Sequence, residues 1–208
     1  MCWSATADLV AGTAVAAVGA ACVVRTRRAR DLPLAALPLL LGAHQLVEAR
    51  VWHTGGGTGP ATLAWAVIAL PLLAVWVPVA VWCAVPDQVR RRLLLPLASG
   101  AVTTAFLAHA LATRTVRAEI RGHTVGYVLG LPHPQLLVAG YLVATIGAFL
   151  LSGDRVLVLL GLLAAVGALV CGALWRLEFV STWCALAAVC SVVVWARVGR
   201  RSPAAVAV

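Results

Sequence analysis

Seven long apolar segments constrain the fold of this chain more than any other feature. They lie at about residues 5–24, 32–53, 61–85, 93–112, 135–151, 156–174 and 178–196, and each reaches roughly the 17–25 residues that a helix needs to cross a bilayer. Hydrophobic residues make up 62% of the sequence and the mean hydropathy is +0.99, a profile that soluble domains do not have. Lipid admits only helices and closed barrels, and the segments are too long for barrel strands. The sequence therefore predicts an all-α, polytopic membrane protein whose residues 1–208 form one seven-helix transmembrane domain.

Arginine predicts the orientation of this domain. The chain carries a formal charge of +9, and all sixteen of its basic residues are Arg. The segments on one side hold eleven of them: Arg25, Arg27, Arg28, Arg30, Arg90, Arg91, Arg92, Arg155, Arg197, Arg200 and Arg201. The other side holds five: Arg50, Arg114, Arg117, Arg121 and Arg176. The positive-inside rule then predicts an outer N-terminus and a cytoplasmic C-terminus in a bacterial inner membrane. Because the charge follows topology, a nucleic-acid partner is not expected; the expected surroundings are lipid.

Two glutamates interrupt the apolar segments. Glu48 lies late in the second segment and Glu178 opens the seventh. An ionisable side chain at membrane depth costs roughly 2.5–3.5 kcal/mol on insertion scales, so such residues usually face the interior of a bundle and have a function there. The alternative is that each caps a helix near the lipid headgroups.

The neighbours of these acids predict one polar cavity in the outer half of the bundle. His44 and Glu48 are four residues apart on a helix, and Gln45 and Trp52 flank the same face. The sequence predicts Glu48, Glu178 and His44 as catalytic residues. The predicted substrate-binding residues are Trp3, Gln45, Trp52, His109, Trp175, Thr182 and Trp183. The alternative for the polar members is interhelical pairing, worth roughly 0.6–2 kcal/mol each.

The absence of several motifs limits the reactions and cofactors that can be expected of this chain. There is no HExxH pair for zinc, no glycine-rich phosphate loop and no aspartate-rich cluster that would hold magnesium against a diphosphate. The absence of Lys excludes a Schiff base. No metal and no cofactor are therefore expected. The remaining chemistry is acid catalysis, because a carboxyl buried in a dry cavity keeps its proton and indole faces stabilise nearby cations.

The beginning of the chain carries a family resemblance. Its first residues, Met-Cys-Trp-Ser-Ala-Thr-Ala, precede Leu-Ala-Ala-Leu-Pro-Leu-Leu at 34–40 and then His44-Gln45-Leu46-Val47-Glu48 and Trp52. This pattern resembles a widespread family of small bacterial integral membrane proteins that open on Met-Cys, Trp or Phe, and Ser-Ala. The resemblance covers nearly the whole chain and implies membership of a family mostly without an assigned function.

A second resemblance is architectural. Seven spans with an acid late in the second helix and another in the seventh are similar to the membrane-bound terpene cyclases of meroterpenoid and indole-terpenoid pathways. In that family such acids protonate an epoxide or terminal alkene of a prenylated substrate. Glu48 and Glu178 match these acids by helix and depth, although the fungal members carry Asp in the seventh helix and no extended motif is shared.

These features predict an acid-initiated cyclisation, an isomerase reaction, of a prenylated, lipid-soluble substrate such as a farnesylated indole. Glu48 or Glu178 would protonate the chain, and the other acid or His44 would take the final proton. One alternative is a non-enzymatic protein that binds haem, quinone or lipid, with His44 and His109 as candidate ligands. Another is a membrane hydrolase that uses Ser4 or Ser181 with a histidine.

The sequence also makes predictions for a pair of cysteines, for the longest connection and for the interior prolines. Cys2 and Cys184 are expected near each other at the outer face, as free thiols. The connection at 113–134 is expected to fold back on the bundle as a lid, since it carries an apolar stretch at 127–131. Interior prolines at positions 38, 71 and 78 are expected to kink their helices and free a carbonyl each.

Overall fold

The computed structural model describes residues 4–174 and 191–198. The helices are α1 (Ala5–Arg25), α2 (Leu32–Ala35), α3 (Leu37–His53), α4 (Pro60–Val67), α5 (Leu73–Ala84), α6 (Asp87–Arg90), α7 (Leu94–Thr113), α8 (Pro134–Leu150), α9 (Arg155–Leu174) and α10 (Ser191–Val198). Short 3₁₀ turns lie at Ala29–Asp31 and Arg91–Leu93, and a π turn at Ile68–Leu72 joins α4 to α5. Two strands, β1 (Arg117–Arg121) and β2 (Thr124–Val128), form an antiparallel hairpin between α7 and α8.

Five of the described helices are long and apolar enough to cross a membrane. They are Ala5–Arg25, Ala29–His53, Pro60–Ala84, Asp87–Thr113 and Arg155–Ala173. The apolar helix α8 is shorter, with 17 residues. Most of the seventh predicted segment, 178–196, lies outside the described residues. The prediction of a mostly helical protein with several membrane-spanning helices is confirmed, and the β1–β2 hairpin is an addition that the sequence reading did not foresee.

Close packing of α1 against α3 sets the geometry of one end of the bundle. A Cβ atom on Gly19 would lie 2.2 Å from the backbone nitrogen of Leu39, and one on Gly42 would lie 2.5 Å from that of Ala16. The two backbones are therefore in direct contact, as small residues allow in membrane helix pairs. The partners run in opposite directions along the two helices, so α1 and α3 are antiparallel and the first turn of α1 lies beside the last turns of α3.

Pro38 lies in a different setting from the predicted one, whereas Pro71 and Pro78 lie inside helical segments as predicted. Pro38 does not kink a continuous helix; it lies in the first turn of α3, after a break at Ala36 that separates α2 from α3. Proline is favoured there because the amide of the first helical turn has no intrahelical partner. Pro71 lies inside the π turn and Pro78 inside α5.

The π turn is held by hydroxyl groups from two other helices. Tyr141 of α8 donates a hydrogen bond from its hydroxyl to the carbonyl of Ala69, at 2.6 Å. Thr104 of α7 donates one to the carbonyl of Pro71, at 2.9 Å. Irregular backbone is tolerated at membrane depth only where such partners satisfy it, so these bonds fix the direction of α5 relative to α4.

The hairpin docks onto the loop between α3 and α4. Gly57 and Ala118 exchange two backbone hydrogen bonds, of 2.8 and 2.9 Å. Gly56 has φ +78° and its Cβ position is 2.7 Å from the Ala118 carbonyl oxygen, so only glycine fits there. The glycine run at 55–57 is thus a docking site for β1. We call this end of the bundle the hairpin end and the opposite end, where Arg25, Arg155 and Arg197 lie, the arginine end.

Candidate functional site

A group of polar and aromatic side chains is buried at the hairpin end, where α1, α3, α4 and β2 meet. We call it the polar cluster, and its members are Asp8, His44, Gln45, Glu48, Trp52, Trp65 and Tyr127. The exposed fraction of Asp8, His44 and Glu48 is 0%, and that of Gln45 is 1%. Burial of this many polar groups in an apolar bundle costs free energy. Polar groups that remain buried in membrane proteins despite this cost usually have a function.

The α3 members occupy the face that the sequence predicted. His44, Gln45 and Glu48 follow one another at spacings that place them on one side of a helix, and all three turn inward. Trp52, one turn further on, is half-buried. The prediction that Glu48 faces the bundle interior rather than lipid agrees with its complete burial.

Asp8 is an acidic member of the cluster to which sequence reasoning assigned no role. It lies in the first turn of α1, and the antiparallel contact with α3 carries it past Gly12, which packs against Gln45, to the level of Glu48. The two carboxyls interact electrostatically, and the Trp52 indole lies beside Asp8. A signal was present, because an acid inside an apolar segment is as unusual in α1 as in α3.

Aromatic rings close the cluster toward the hairpin end. The Tyr127 ring stacks on the Trp65 indole with 3.4 Å between ring centroids and 4° between planes. The Tyr127 hydroxyl donates a hydrogen bond to Glu48 Oε1, at 3.4 Å. On its other side Trp65 lies 4.9 Å from the His44 ring, tilted by 44°. The 113–134 segment therefore folds back onto the bundle and brings Tyr127 to Glu48.

Many polar atoms of the cluster have no hydrogen-bond partner. Within the described part of the chain this holds for both ring nitrogens of His44, both amide atoms of Gln45 and the indole nitrogen of Trp65. Each such atom costs about 1–3 kcal/mol when buried. Buried polar groups in proteins normally pair with protein, water or ligand, so these atoms have hydrogen-bonding capacity that their protein neighbours do not use.

The remaining predicted residues fall elsewhere. His109 is exposed on α7, and the structure does not bring its side chain into the polar cluster. Trp3, Trp175, Glu178, Thr182 and Trp183 lie outside the described residues, as do Ser181 and the Cys2 and Cys184 pair. Ser4 is exposed and accepts a hydrogen bond from the Ala7 amide, at 3.1 Å, as the N-cap of α1.

The donor set of the cluster suits proton transfer better than metal binding. Among the described residues there is no group of three or more His, Cys, Asp and Glu side chains that could hold a metal ion. Two carboxyls and an imidazole, shielded from water and bordered by indole and phenol rings, can hold, donate and accept protons beside a developing cation.

Comparison with known proteins assigns the family. The chain belongs to DUF6629, a family of unknown function, which matches residues 1–208. No curated protein and no solved structure matches the chain. The family agrees with the expected membership of a group mostly without an assigned function, and the likeness to terpene cyclases stays a prediction.

Proposed function

We propose that this protein is a membrane-bound terpene cyclase in which Glu48 acts as a Brønsted acid. Its substrate is a prenylated, lipid-soluble small molecule, for example a farnesylated indole. The proposal includes seven transmembrane helices with an outer N-terminus and a cytoplasmic C-terminus in a bacterial inner membrane. The distribution of Arg supports this orientation, which makes the hairpin end the outer end.

The burial of Asp8 and Glu48 together is the observation that carries the proposal. An ionised carboxylate in an apolar interior is strongly disfavoured without a counter-charge, and two neighbouring carboxyls disfavour double ionisation further. A proton shared between the two carboxyls is the state that the proposed acid catalyst requires.

Proton transfer from Glu48 starts the proposed reaction. The carboxyl proton moves to the distal alkene carbon, or to the epoxide oxygen, of the prenyl chain. The cation that forms is attacked by the π electrons of the next double bond, which makes a carbon–carbon bond and moves the positive charge along the chain. Loss of a C–H proton to the carboxylate pair or to His44 ends the cascade, so the product is an isomer of the substrate and no cofactor is consumed.

The aromatic members of the cluster suit the intermediates of this reaction. Indole faces are the best π surfaces for cations and contribute roughly 0.5–2 kcal/mol each. Trp65 stacks on Tyr127, whose hydroxyl donates a hydrogen bond to Glu48, and Trp52 follows Glu48 by four residues on α3. Glu178, Trp3, Trp175, Thr182 and Trp183 stay predicted members of the same site.

The rival functions have less support among the described residues. Haem ligation by a pair of histidines needs His44 and His109 to face one space, yet His109 is exposed. A hydrolase that uses Ser4 would need that hydroxyl close to a base, yet it caps the first turn of α1.

Substitution of Glu48 tests the proposal. Membranes that contain wild type, Glu48→Gln or Glu119→Gln are incubated with farnesylated indole and with its terminal epoxide, and cyclised isomers are measured by chromatography and mass spectrometry. The amide keeps the shape and hydrogen bonding of Glu48 but cannot deliver a proton, so turnover should fall by about 10²–10⁴-fold.

The matched control replaces Glu119, a half-buried hairpin acid paired with Arg121, and should leave turnover unchanged. Equal cyclisation by wild type and Glu48→Gln would overturn the assigned role of Glu48. Absence of cyclisation by wild type on both substrates would overturn the proposed substrate class.

A further inference from the structure

Arginine side chains from separate parts of the chain meet at the arginine end. The Arg25 guanidinium, in the last turn of α1, lies over the Trp195 ring of α10, 4.5 Å from the ring centroid. Two residues further along α10, Arg197 donates hydrogen bonds to Asp154 Oδ2, at 2.9 Å, and to the carbonyl of Ala84, at 3.5 Å. These contacts gather the end of α1, the end of α5 and the start of α9 around α10, so the Arg residues of the connections between these helices lie at one end of the bundle.

The acids at this end neutralise few of these Arg residues. Asp154 pairs with Arg197, and Asp87 pairs with Arg90 at 2.8 Å. The third acid is Asp31, in the 3₁₀ turn after α1. Six further Arg side chains are exposed and form no ion pair within the described part of the chain: Arg27, Arg28, Arg30, Arg91, Arg92 and Arg155. Nine Arg and three Asp residues lie at the described arginine end, which leaves a net charge of +6.

Exposed hydrocarbon borders these guanidinium groups. Val24, one residue before the end of α1, is 84% exposed. Leu94 and Leu95, at the start of α7, are 56% and 65% exposed. Both helices belong to segments that are long and apolar enough to cross a membrane. A partner that covers this surface must therefore carry an anionic group and hydrocarbon side by side, as a phospholipid does and a free phosphate or a nucleic acid does not.

Guanidinium groups suit the phosphate of such a lipid. The planar fork of an Arg side chain donates two parallel hydrogen bonds to one phosphate. Clusters of roughly four to eight basic residues beside a membrane span are typical of surfaces that attract anionic lipids. A zwitterionic headgroup offers the same phosphate together with a compensating cation, so a surface with a charge of +6 favours a headgroup whose net charge is negative.

We infer that the arginine end is a binding surface for phospholipids with a net negative headgroup, such as phosphatidylglycerol. The phosphates contact the six exposed Arg side chains, and the acyl chains lie along Val24, Leu94 and Leu95. This surface lies at the opposite end of the bundle from the polar cluster, so it adds a lipid partner whose binding does not depend on the proposed function.

Native mass spectrometry of the full-length protein in detergent tests the inference. Phosphatidylglycerol and phosphatidylcholine with the same acyl chains are titrated separately, and the dissociation constant of the first bound lipid is measured for each. Wild type should bind phosphatidylglycerol more tightly by about fivefold or more, the factor that corresponds to roughly 1 kcal/mol for one Arg near an anionic surface. Equal binding of the two lipids would overturn the inference.

Paired substitutions locate the binding surface. Arg91→Gln with Arg92→Gln removes two charges beside Leu94, and Arg27→Gln with Arg28→Gln removes two beyond the end of α1. At least one of these pairs should weaken the binding of phosphatidylglycerol by about fivefold or more, and a loss in neither would overturn the inference.

The matched control removes two exposed charges from the hairpin end, through Arg50→Gln with Arg117→Gln. This pair should bind phosphatidylglycerol as wild type does. An equal loss in the control and in the arginine-end variants would show that affinity follows total charge, which would overturn the assignment of this surface.

Measurements on wild type alone keep the test independent of how the variants fold. Raising the ionic strength from about 0.1 M to 1 M shortens the Debye length from about 10 Å to 3 Å, so the preference for phosphatidylglycerol over phosphatidylcholine should fall. An unchanged preference would overturn recognition by charge. Inorganic phosphate at the concentration of the lipid should leave the lipid adducts in place, and displacement by it would identify a site for a soluble anion and overturn the lipid as the partner.

Discussion

Replacement of Gly19 by Ala tests the close packing of α1 against α3. In a helix, Gly→Ala is ordinarily stabilising by about 0.5–1 kcal/mol. At Gly19 the new methyl would lie 2.2 Å from the Leu39 nitrogen and 2.6 Å from its Cα. Ordinary contact begins at 3.4 Å, so α1 must move away from α3 by about 1.2 Å, and overpacking of this kind costs about 1–3 kcal/mol.

The other glycines of this interface extend the test into a series. The corresponding nearest distance is 2.5 Å at Gly42 and 3.0 Å at Gly12. Destabilisation should therefore be largest for Gly19→Ala, intermediate for Gly42→Ala and smallest for Gly12→Ala. Gly147→Ala is the matched control, because this α8 glycine has its nearest atom at 3.7 Å and alanine there should be neutral or stabilising.

Thermal unfolding in detergent, followed by tryptophan fluorescence, measures the series. Because Asp8 depends on the same packing for its place beside Glu48, Gly19→Ala should also lower any activity that depends on the carboxyl pair. If Gly19→Ala were as stable as Gly147→Ala, the direct backbone contact between α1 and α3 would be wrong, and with it the position of Asp8.

Three further predictions follow from other contacts. Tyr127→Phe should keep the stack on Trp65, whereas Tyr127→Ala should cost about 0.5–1.5 kcal/mol of pair energy in addition to lost burial, measurable by the same unfolding assay. Tyr141→Phe should destabilise the π turn by about 1–3 kcal/mol, because the Ala69 carbonyl loses its side-chain donor. Reporter fusions after Arg30 and Arg92 should report the cytoplasm; an exterior report from either would contradict the proposed orientation.

Segment length and composition predicted the helices well, because lipid leaves little alternative for long apolar runs. The β1–β2 hairpin was harder to predict from the sequence. Its strands have five residues each, and β1 carries three charged side chains, so neither length nor hydropathy marks them. The pairing of Ala118 with Gly57 joins residues far apart in sequence, and only the docked fold reveals it.

Some residues of the candidate site could likewise be predicted from the sequence and others could not. Periodicity along α3 was enough to place His44, Gln45 and Glu48 on one face, since a helix fixes that relation locally. Trp65 was missed because an indole in an apolar helix resembles any core or interfacial aromatic. Asp8 could have been found from sequence: Gly12 and Gly19 recur at helical spacing after it, a pattern typical of close helix pairs, and such a pair would bring it to an acid on its partner.

Infrared spectroscopy of the carboxyl groups tests the central claim most directly, because it needs no substrate. A protonated carboxyl has a carbonyl stretch that a carboxylate lacks. At neutral pH the account predicts this band in wild-type protein, its persistence in Glu119→Gln, and its loss when Asp8→Asn and Glu48→Gln are combined. A wild-type spectrum without the band, or a band that is unchanged in the double variant, would contradict the role of the Asp8–Glu48 pair as a buried acid.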